Sequence, residues 1–457
     1  MSALSERFPA VAASRPDLLA HHCTEAGLIE RAVGHWLRAG ELAVARSANA
    51  EAIAQLTKGL ELLGGLPPGP ERHARELDLQ LTLASALAAA VGHGMPEARR
   101  AYARAVELAE QIGDMSRLFP ALDGLVTCHF SRAELPGAIN LAEKLLDLAE
   151  RNEDVAPRIV AHSEVGIIQL ALGNLSSARE HLERALALYV PGEHDSLRLA
   201  YSFDPRVICR GYLSWALFAL GYPAQALKQS HGSIAEARRL SHPLTLAFAL
   251  SRSAAVAHLR RSPRAVEETA AAVMALAEEQ GLRTYTVAGR FYHGWVQVQR
   301  GRVDEGLALL RESLAALRTG GDEDWFPHSL FLVAEAHHEA RQISVGLDLL
   351  GEALERVERN SERWFAAEVH RLRGELLLSL SDSDQAEACF QQALRVARLQ
   401  DARMWELRAA TSLGRLWRDQ GRRAEARDLL APVYGWFTEG FDTPDLKDAK
   451  ALLGELR

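Results

Sequence analysis

Few side chains in this sequence stand at spacings that would support chemistry. His21 and Glu25 are four residues apart and would share one face of a helix, whereas His22 would point about 100° away from His21. Two potential ligands are too few for a zinc site, so we expect a packing or surface role and no metal. The pair His337-His338 is interpreted in the same way.

Motifs for nucleotide binding or nucleophilic catalysis are missing from the sequence. It has no G-x-x-x-x-G-K-[ST] loop, and Gly92-His93-Gly94 lacks the rest of a dinucleotide fingerprint. The acidic run Asp322-Glu323-Asp324 follows two glycines and predicts a solvated loop rather than a catalytic dyad. The four cysteines have no CxxC spacing. We therefore expect no catalytic residue, no cofactor and no enzyme activity.

Composition restricts the partners and the compartment. The chain is 48% hydrophobic and only 6% aromatic, and 52 basic against 60 acidic residues give a formal net charge of −8. Proteins that bind nucleic acid usually carry a basic excess, so we expect no nucleic-acid partner. The N-terminus, MSALSERFPAVAASRPD, has no apolar core of signal-peptide type, and no apolar run reaches the length of a membrane span. These features predict a cytoplasmic protein without a membrane partner.

The chain is built from a repeating element that must position all of these residues. Its sign is one small residue that recurs about every 40 positions. Mostly apolar or small residues follow it at +4 and +7, the spacing of one helical face, and a glycine that suits a turn often precedes it by five. The recurring positions are Ala98, Ala138, Ala178, Ala226, Ala265, Gly306, Gly346, Ala386 and Ala426.

This pattern predicts about ten antiparallel helix pairs, each with a helix A and a helix B. It resembles the tetratricopeptide repeat, although the usual period there is 34. The resemblance implies an all-α, right-handed α-solenoid with a period near 40. We divide the chain into N-terminal helical repeats at 1–66, a main array at 67–430 with an inserted loop near 190–206, and a capping segment at 431–457. In that cap, Thr443 and Pro444 are predicted to begin the final helix.

Three longer stretches carry a second resemblance. Residues 16–40, 214–227 and 418–453 resemble the C-terminal tail of bacterial multidomain proteins in which a class III adenylate/guanylate cyclase precedes a signalling ATPase and helical repeats. This resemblance extends over essentially the whole chain, but only to the tail of such proteins. It implies a sensor or assembly role in nucleotide signalling. No part of the sequence matches a cyclase or ATPase domain.

The concave face formed by the A helices is the candidate binding site. Applying the tetratricopeptide register to the later repeats places apolar and aromatic residues at one end of a groove and charged residues at the other. Such a groove would bind a protein or peptide, with a small effector as the alternative. The simpler interpretation is a solvated face with packing between repeats, which we also expect for Trp325, Trp364 and Trp405. The candidate groove residues are Trp215, Phe218, Phe291, Trp295, His328, Glu335, Glu368, Arg371, Arg408 and Arg415.

The sequence therefore favours a non-catalytic repeat scaffold or sensor region. One alternative is a chain that retains adenylate cyclase or ATPase activity, which the missing phosphate loop argues against. The other is a truncated or split product without its output domains.

Overall fold

The structure is a computed structural model that describes residues 15–46, 48–151, 154–201, 203–321 and 323–457. Within these ranges it consists of α-helices joined by short turns, without a β-strand. The expectation that the N-terminus is not a signal peptide concerns residues 1–14, which lie outside the described residues. Asp322 of the acidic run lies outside them as well. The helices fall into two compact units, Met1–Arg151 with Gly320–Asp324, and Asn152–Thr319 with Trp325–Arg457.

The helices up to residue 151 are α1 (Pro16–Glu25), α2 (Ile29–Ala45), α3 (Asn49–Leu63), α4 (Pro70–Val91), α5 (Pro96–Ile112), α6 (Met115–Ser131) and α7 (Leu135–Glu150). Then follow α8 (Val155–Leu172), α9 (Leu175–Leu188), α10 (Leu197–Ala200), α11 (Pro205–Ala219), α12 (Pro223–Leu240), α13 (Pro243–Leu259), α14 (Pro263–Gln280), α15 (Arg283–Gln299) and α16 (Val303–Gly320). The last are α17 (Phe326–Glu339), α18 (Ile343–Asn360), α19 (Ala366–Ser379), α20 (Ser383–Leu399), α21 (Arg403–Asp419), α22 (Arg423–Gly435) and α23 (Pro444–Glu455).

Antiparallel helix pairs make up both units, and the predicted tetratricopeptide-like solenoid of helix pairs is confirmed. The small positions Ala178, Ala226, Ala386 and Ala426 are fully buried where helix B meets helix A. The close approach is tightest between α15 and α16, where a Cβ on Gly306 would lie 2.6 Å from the carbonyl oxygen of Gly294. Small residues at both positions therefore let the two helix backbones come together.

One repeat has a different register from the predicted one. In α14 the core face is formed by Val266, Ala270 and Val273, which are buried, whereas Ala265 is only half-buried. The assignment of Ala265 to the buried position was wrong, because it favoured a small residue over the residue that keeps the 40-residue spacing. Val266 lies 40 residues after Ala226 and 40 before Gly306, so the period is regular here.

The predicted insertion is an ordered loop with a short helix, α10. The hydroxyl of Tyr189 donates to Asp204 Oδ2 at 2.5 Å, and Asp204 Oδ1 accepts from the backbone N–H of Val207 at 3.0 Å. Arg239 pairs with Asp195 on the same loop at 2.9 Å. These bonds fix the loop where it enters α11.

The predicted final helix is confirmed, since α23 begins at Pro444. Leu446, Ala449 and Leu452 are buried on its inner face. Thr443, however, makes no side-chain cap, because its hydroxyl donates to the carbonyl oxygen of Gly440 at 2.7 Å.

Helix α8 is long and apolar enough to cross a membrane by length and composition alone. In the structure 56% of that stretch is buried within the protein, where it packs against α9 and α11. The buried face explains its apolar composition.

Candidate functional site

The predicted concave residues of the second unit form an interior instead of an open groove. Trp215, Phe218, Phe291, Trp295, His328 and Glu368 are all buried. Arg371 and Arg408 keep only 16% and 11% of their side-chain surface exposed. The expectation of exposed aromatic anchors is therefore wrong: the concave sides of early and late A helices of this unit pack against each other.

Trp215 lies at the centre of this contact. Its ring stacks on that of Trp364, with centroids 5.0 Å apart, and meets Trp325 edge-on at 5.0 Å. Its indole Nε1 donates to the carbonyl oxygen of Arg252 at 3.1 Å, and the Arg252 guanidinium lies 4.9 Å from its ring centroid. Further along, Phe218 packs against Trp405 at 5.7 Å. The predicted packing role of the three recurring tryptophans is confirmed.

Glu335 joins one predicted groove residue, Trp295, to His258, which was not predicted. Its Oε2 accepts from Trp295 Nε1 at 2.7 Å and lies 2.8 Å from His258 Nε2. Burial disfavours the carboxylate, but its attraction to His258 and these two hydrogen bonds outweigh burial and lower the pKa of Glu335 to about 2. Glu335 is thus a charged acceptor that binds both the Trp295 indole and the His258 ring.

His328 packs beside this group among aromatic rings. Its ring meets Phe365 edge-on at 4.8 Å, and its Nε2 has no hydrogen-bond partner among the described residues. Burial, followed by repulsion from His258 and Arg252, lowers the pKa of His328 well below the ordinary value. The ring is therefore neutral in the folded protein at neutral pH.

The arginines predicted for the charged end of the groove are bound to internal carboxylates. Arg408 donates to both oxygens of Asp445 at 3.0 Å and to Glu368 at 2.9 Å, and its guanidinium lies 5.1 Å from the Trp405 ring centroid. Arg371 pairs with Glu368 through two hydrogen bonds of 2.8 and 3.1 Å. Burial opposes both charges, but the facing carboxylates raise the pKa of each arginine. We call Arg371, Arg408, Glu368 and Asp445 the arginine–carboxylate network.

Arg415 is the one predicted groove residue that stays largely exposed, at 46% of its side chain. It lies 3.5 Å from Asp448 on α23. Trp215 and Trp295 are buried, so the structure does not bring Arg415 together with them in one open surface.

The segment between α22 and α23 completes the closure of the second unit. Glu439 Oε1 accepts from the backbone N–H groups of Ala224 and Gln225, at 2.9 and 3.1 Å, and so caps the start of α12. Asp442 lies 3.5 Å from Arg260. Gly221, with φ of +92°, allows this approach, because a Cβ there would lie 2.7 Å from the Trp436 ring.

An open cleft of about 320 Å³ lies beside this closure. Arg179 lies 5.2 Å from the Tyr222 ring centroid, Arg403 lies 5.6 Å from that of Trp436, and the two rings meet edge-on at 5.6 Å. Trp436 is 37% exposed. We call this the Arg–aromatic cleft; its lining residues are Ser176, Arg179, Leu220, Tyr222, Asp401, Arg403 and Trp436.

Sequence reasoning missed the Arg–aromatic cleft because its two halves come from opposite ends of the second unit. Ser176 and Trp436 belong to repeats far apart in the chain, and no motif links them. The one residue that could have pointed to it is Gly221, whose missing side chain leaves room for Trp436 and Arg403, but similar glycines end other helices of the chain.

Among the described residues, no group of three or more His, Cys, Asp and Glu side chains is arranged to hold a metal ion. His21 and His22 are exposed on α1, and His337 is buried, with its Nδ1 2.8 Å from Gln342 Oε1.

Comparisons with known proteins agree with this fold. A family model described as "Tetratricopeptide repeat" matches residues 407–434, within α21 and α22. An uncharacterized protein of Rhizobium meliloti (strain 1021) is 26% identical over 403 residues, which is 87% of this chain and 39% of the relative. The chain thus spans about two fifths of the length of the curated relative it matches.

Two solved structures match the chain to different degrees. A Rap protein complexed with Competence and Sporulation Factor superposes with a TM-score of 0.57 at 12% identity, covering 80% of this chain and 98% of that one. A signal transduction ATPase with a tetratricopeptide repeat sensor from Pyrococcus horikoshii gives a TM-score of 0.42 at 14% identity, covering 83% and 54%. The family match and the Rap superposition agree with a tetratricopeptide-like helical repeat protein.

Proposed function

We propose that this chain is a non-catalytic, cytoplasmic scaffold or sensor region that binds a protein or peptide. We further propose that it is the tail of a nucleotide-signalling protein of the cyclase/ATPase type. The repeat architecture supports the first proposal, because stacked helix pairs offer extended binding surfaces. The tail resemblance and the greater length of the Rhizobium relative support the second.

The observation that carries the binding proposal is the contrast between the two Arg–aromatic regions of the second unit. The inner one is filled by its own side chains, whereas the Arg–aromatic cleft is open and combines Trp436 and Tyr222 with two guanidiniums. Exposed aromatic residues beside arginines are the usual anchors of protein interfaces. The partner that fits is a peptide with an apolar anchor next to an acidic residue, since arginine pairs with carboxylates. The neighbouring Rap fold, solved with a bound factor, is consistent with such a role.

The test is a binding screen on the purified chain. Fluorescein-labelled peptides that pair Phe or Trp with Asp or Glu would be titrated by anisotropy. For a peptide that binds, Trp436→Ala should weaken affinity at least tenfold, because a buried anchor is worth roughly 1.5–3 kcal/mol. The control is Phe441→Ala, which removes an aromatic side chain of the same segment that is 50% exposed and does not line the cleft. Equal binding by parent and both variants would contradict the placement, and absence of peptide binding would contradict the function.

The enzyme alternative is tested separately. A retained cyclase or ATPase activity requires nucleotide binding, so ATP and GTP would be titrated by calorimetry and assayed for turnover with Mg²⁺ present. We expect neither binding nor turnover. Saturable binding with turnover would replace the scaffold proposal by an enzymatic one.

A further inference from the structure

A pair of histidines joins helices α8 and α9 on a face that the binding proposal does not use. His162 Nδ1 lies 3.0 Å from His181 Nδ1, and the ring centroids are 5.1 Å apart. A hydrogen bond between two ring nitrogens needs one donor and one acceptor, so at least one of the two rings is neutral in this arrangement. Both rings are only half-buried and can be reached from solvent.

Two arginines flank this pair. Arg158 precedes His162 by four residues and Arg184 follows His181 by three, so each shares a helical face with its histidine. Burial first, and then repulsion by His181, Arg184 and Arg158, lowers the pKa of His162 to about 4. The three neighbours whose charge lowers the pKa of His162 are two arginines, which carry a positive charge, and a histidine, which gains one when protonated. The positive charge here is not balanced by a carboxylate that acts on this ring.

The Nε of Arg158 is buried and makes no hydrogen bond within the part of the chain that the structure describes. The largely buried Arg371 of the same unit, by contrast, pairs with Glu368 at 2.8 Å. A buried guanidinium nitrogen without an acceptor is costly, and an oxyanion would satisfy it.

We propose that Arg158, His162, His181 and Arg184 form a binding site for a phosphate-type oxyanion on the α8–α9 face. The two guanidiniums would supply paired N–H donors, which match the geometry of phosphate oxygens. A histidine ring would supply a further N–H from the side between them. Both a free phosphate ion and a phosphate monoester carry the required chemistry. The site is independent of the Arg–aromatic cleft, which lies on other residues.

The experiment uses the full chain and two probes, inorganic phosphate and phosphoserine, with chloride salt held constant. Binding would be followed by calorimetry and by the ring NMR signals of histidine. We expect saturable binding, a shift of the His162 and His181 ring signals, and at least tenfold weaker binding in Arg158→Gln and in Arg184→Gln. Tighter binding of phosphoserine than of phosphate would identify a monoester as the preferred ligand, and the reverse would identify the free ion.

The matched control is Arg427→Gln, which removes one exposed arginine from α22 in the same unit. It should leave phosphate affinity unchanged. Equal weakening by the control would show that general attraction to positive charge explains the binding, and would overturn the site. Absence of saturable phosphate binding, or ring signals that do not move, would overturn it as well. Thermal melting of each variant separates lost binding from lost folding.

Discussion

His328 is a titratable ring in surroundings that cannot accept its charge. It touches Phe365 and Trp364, and its charged neighbours are His258 and Arg252, which oppose protonation, and Glu335, which favours it. Burial outweighs the carboxylate, so the folded protein keeps this ring neutral. The unfolded chain has no such restriction and takes up a proton near the ordinary pKa of about 6.5.

The first prediction concerns stability in mild acid. Because the pKa of His328 is lower in the folded state, the unfolded state binds the extra proton, and the free energy of unfolding falls as pH drops below about 6.5. The loss for one group reaches about 1.4 kcal/mol per pH unit. Glu335, with a folded pKa of about 2, adds a further loss only below about pH 4.5. In urea unfolding between pH 7 and 5, His328→Phe should therefore show a shallower decline than the parent. His22→Phe, at an exposed position, should keep the parental slope, and an unchanged slope in His328→Phe would refute the assignment.

At the scale of elements, α23 contributes charge as well as apolar surface. Asp445 is buried and holds Arg408 by two hydrogen bonds, whereas Asp448, one turn later, keeps 37% of its side chain exposed beside Arg261 and Arg415. The two carboxylates share a helix and both face arginines. They differ chiefly in burial, which makes them a matched pair.

The second prediction uses this pair. Asp445→Asn should lower the free energy of unfolding by about 3 kcal/mol, because it removes a charged partner from a buried guanidinium. Asp448→Asn should cost less than about 1 kcal/mol, as exposed ion pairs do. Denaturant unfolding of both variants gives the comparison. Equal costs would mean that the arginine–carboxylate network does not hold α23 in place.

The repeating elements were predictable because their signal is periodic. Ala178, Ala226 and Ala386 mark a helical face that must be small in every repeat, whatever lies beyond it. Val266 shows the limit of that rule, since a larger residue is fully buried at the same position of its repeat. The start of the last helix at Pro444 could be predicted as well, because proline is favoured in the first turn of a helix.

The candidate site was not predictable to the same degree. The tetratricopeptide register assigned Trp215, Arg371 and Arg408 to the concave face, but it treats each repeat as part of an open groove. Whether concave residues are exposed to solvent depends on whether the stack of repeats curves enough for its early and late repeats to touch. That curvature is a sum of small rotations between neighbours, and no motif encodes it. The Arg–aromatic cleft arises from the same curvature and was missed for the same reason.

At the scale of the second unit, early and late repeats meet at a few close approaches. Gly221 is one of them, because a Cβ there would meet Trp436, Arg403 and Phe437 within 3.1 Å. Gly301 has a similar left-handed backbone, with φ of +81°, but open space around it. The two glycines therefore separate the cost of backbone strain from the cost of disturbing the closure.

The third prediction compares them. Gly301→Ala should cost about 1 kcal/mol, the penalty of a side chain at positive φ. Gly221→Ala should cost roughly 2 kcal/mol more, since overpacking adds to strain. It should also raise amide hydrogen exchange at the start of α12, where Glu439 caps the helix. Similar costs, with exchange unchanged, would show that the contact with the C-terminal segment contributes little.

The contact between early and late repeats of the second unit also has a consequence for the order in which the unit folds. In an open array each repeat contacts its neighbours, and folding can begin anywhere and spread. Here Arg408 binds the carbonyl of Leu259, 149 residues earlier, and Glu439 accepts from the N–H of Ala224, 215 residues earlier. Contacts of such long sequence separation carry a large loop-closure cost until the intervening repeats are ordered. We therefore expect the interior around Trp215 to be completed only after the repeats that carry Trp325 and Trp364 are ordered.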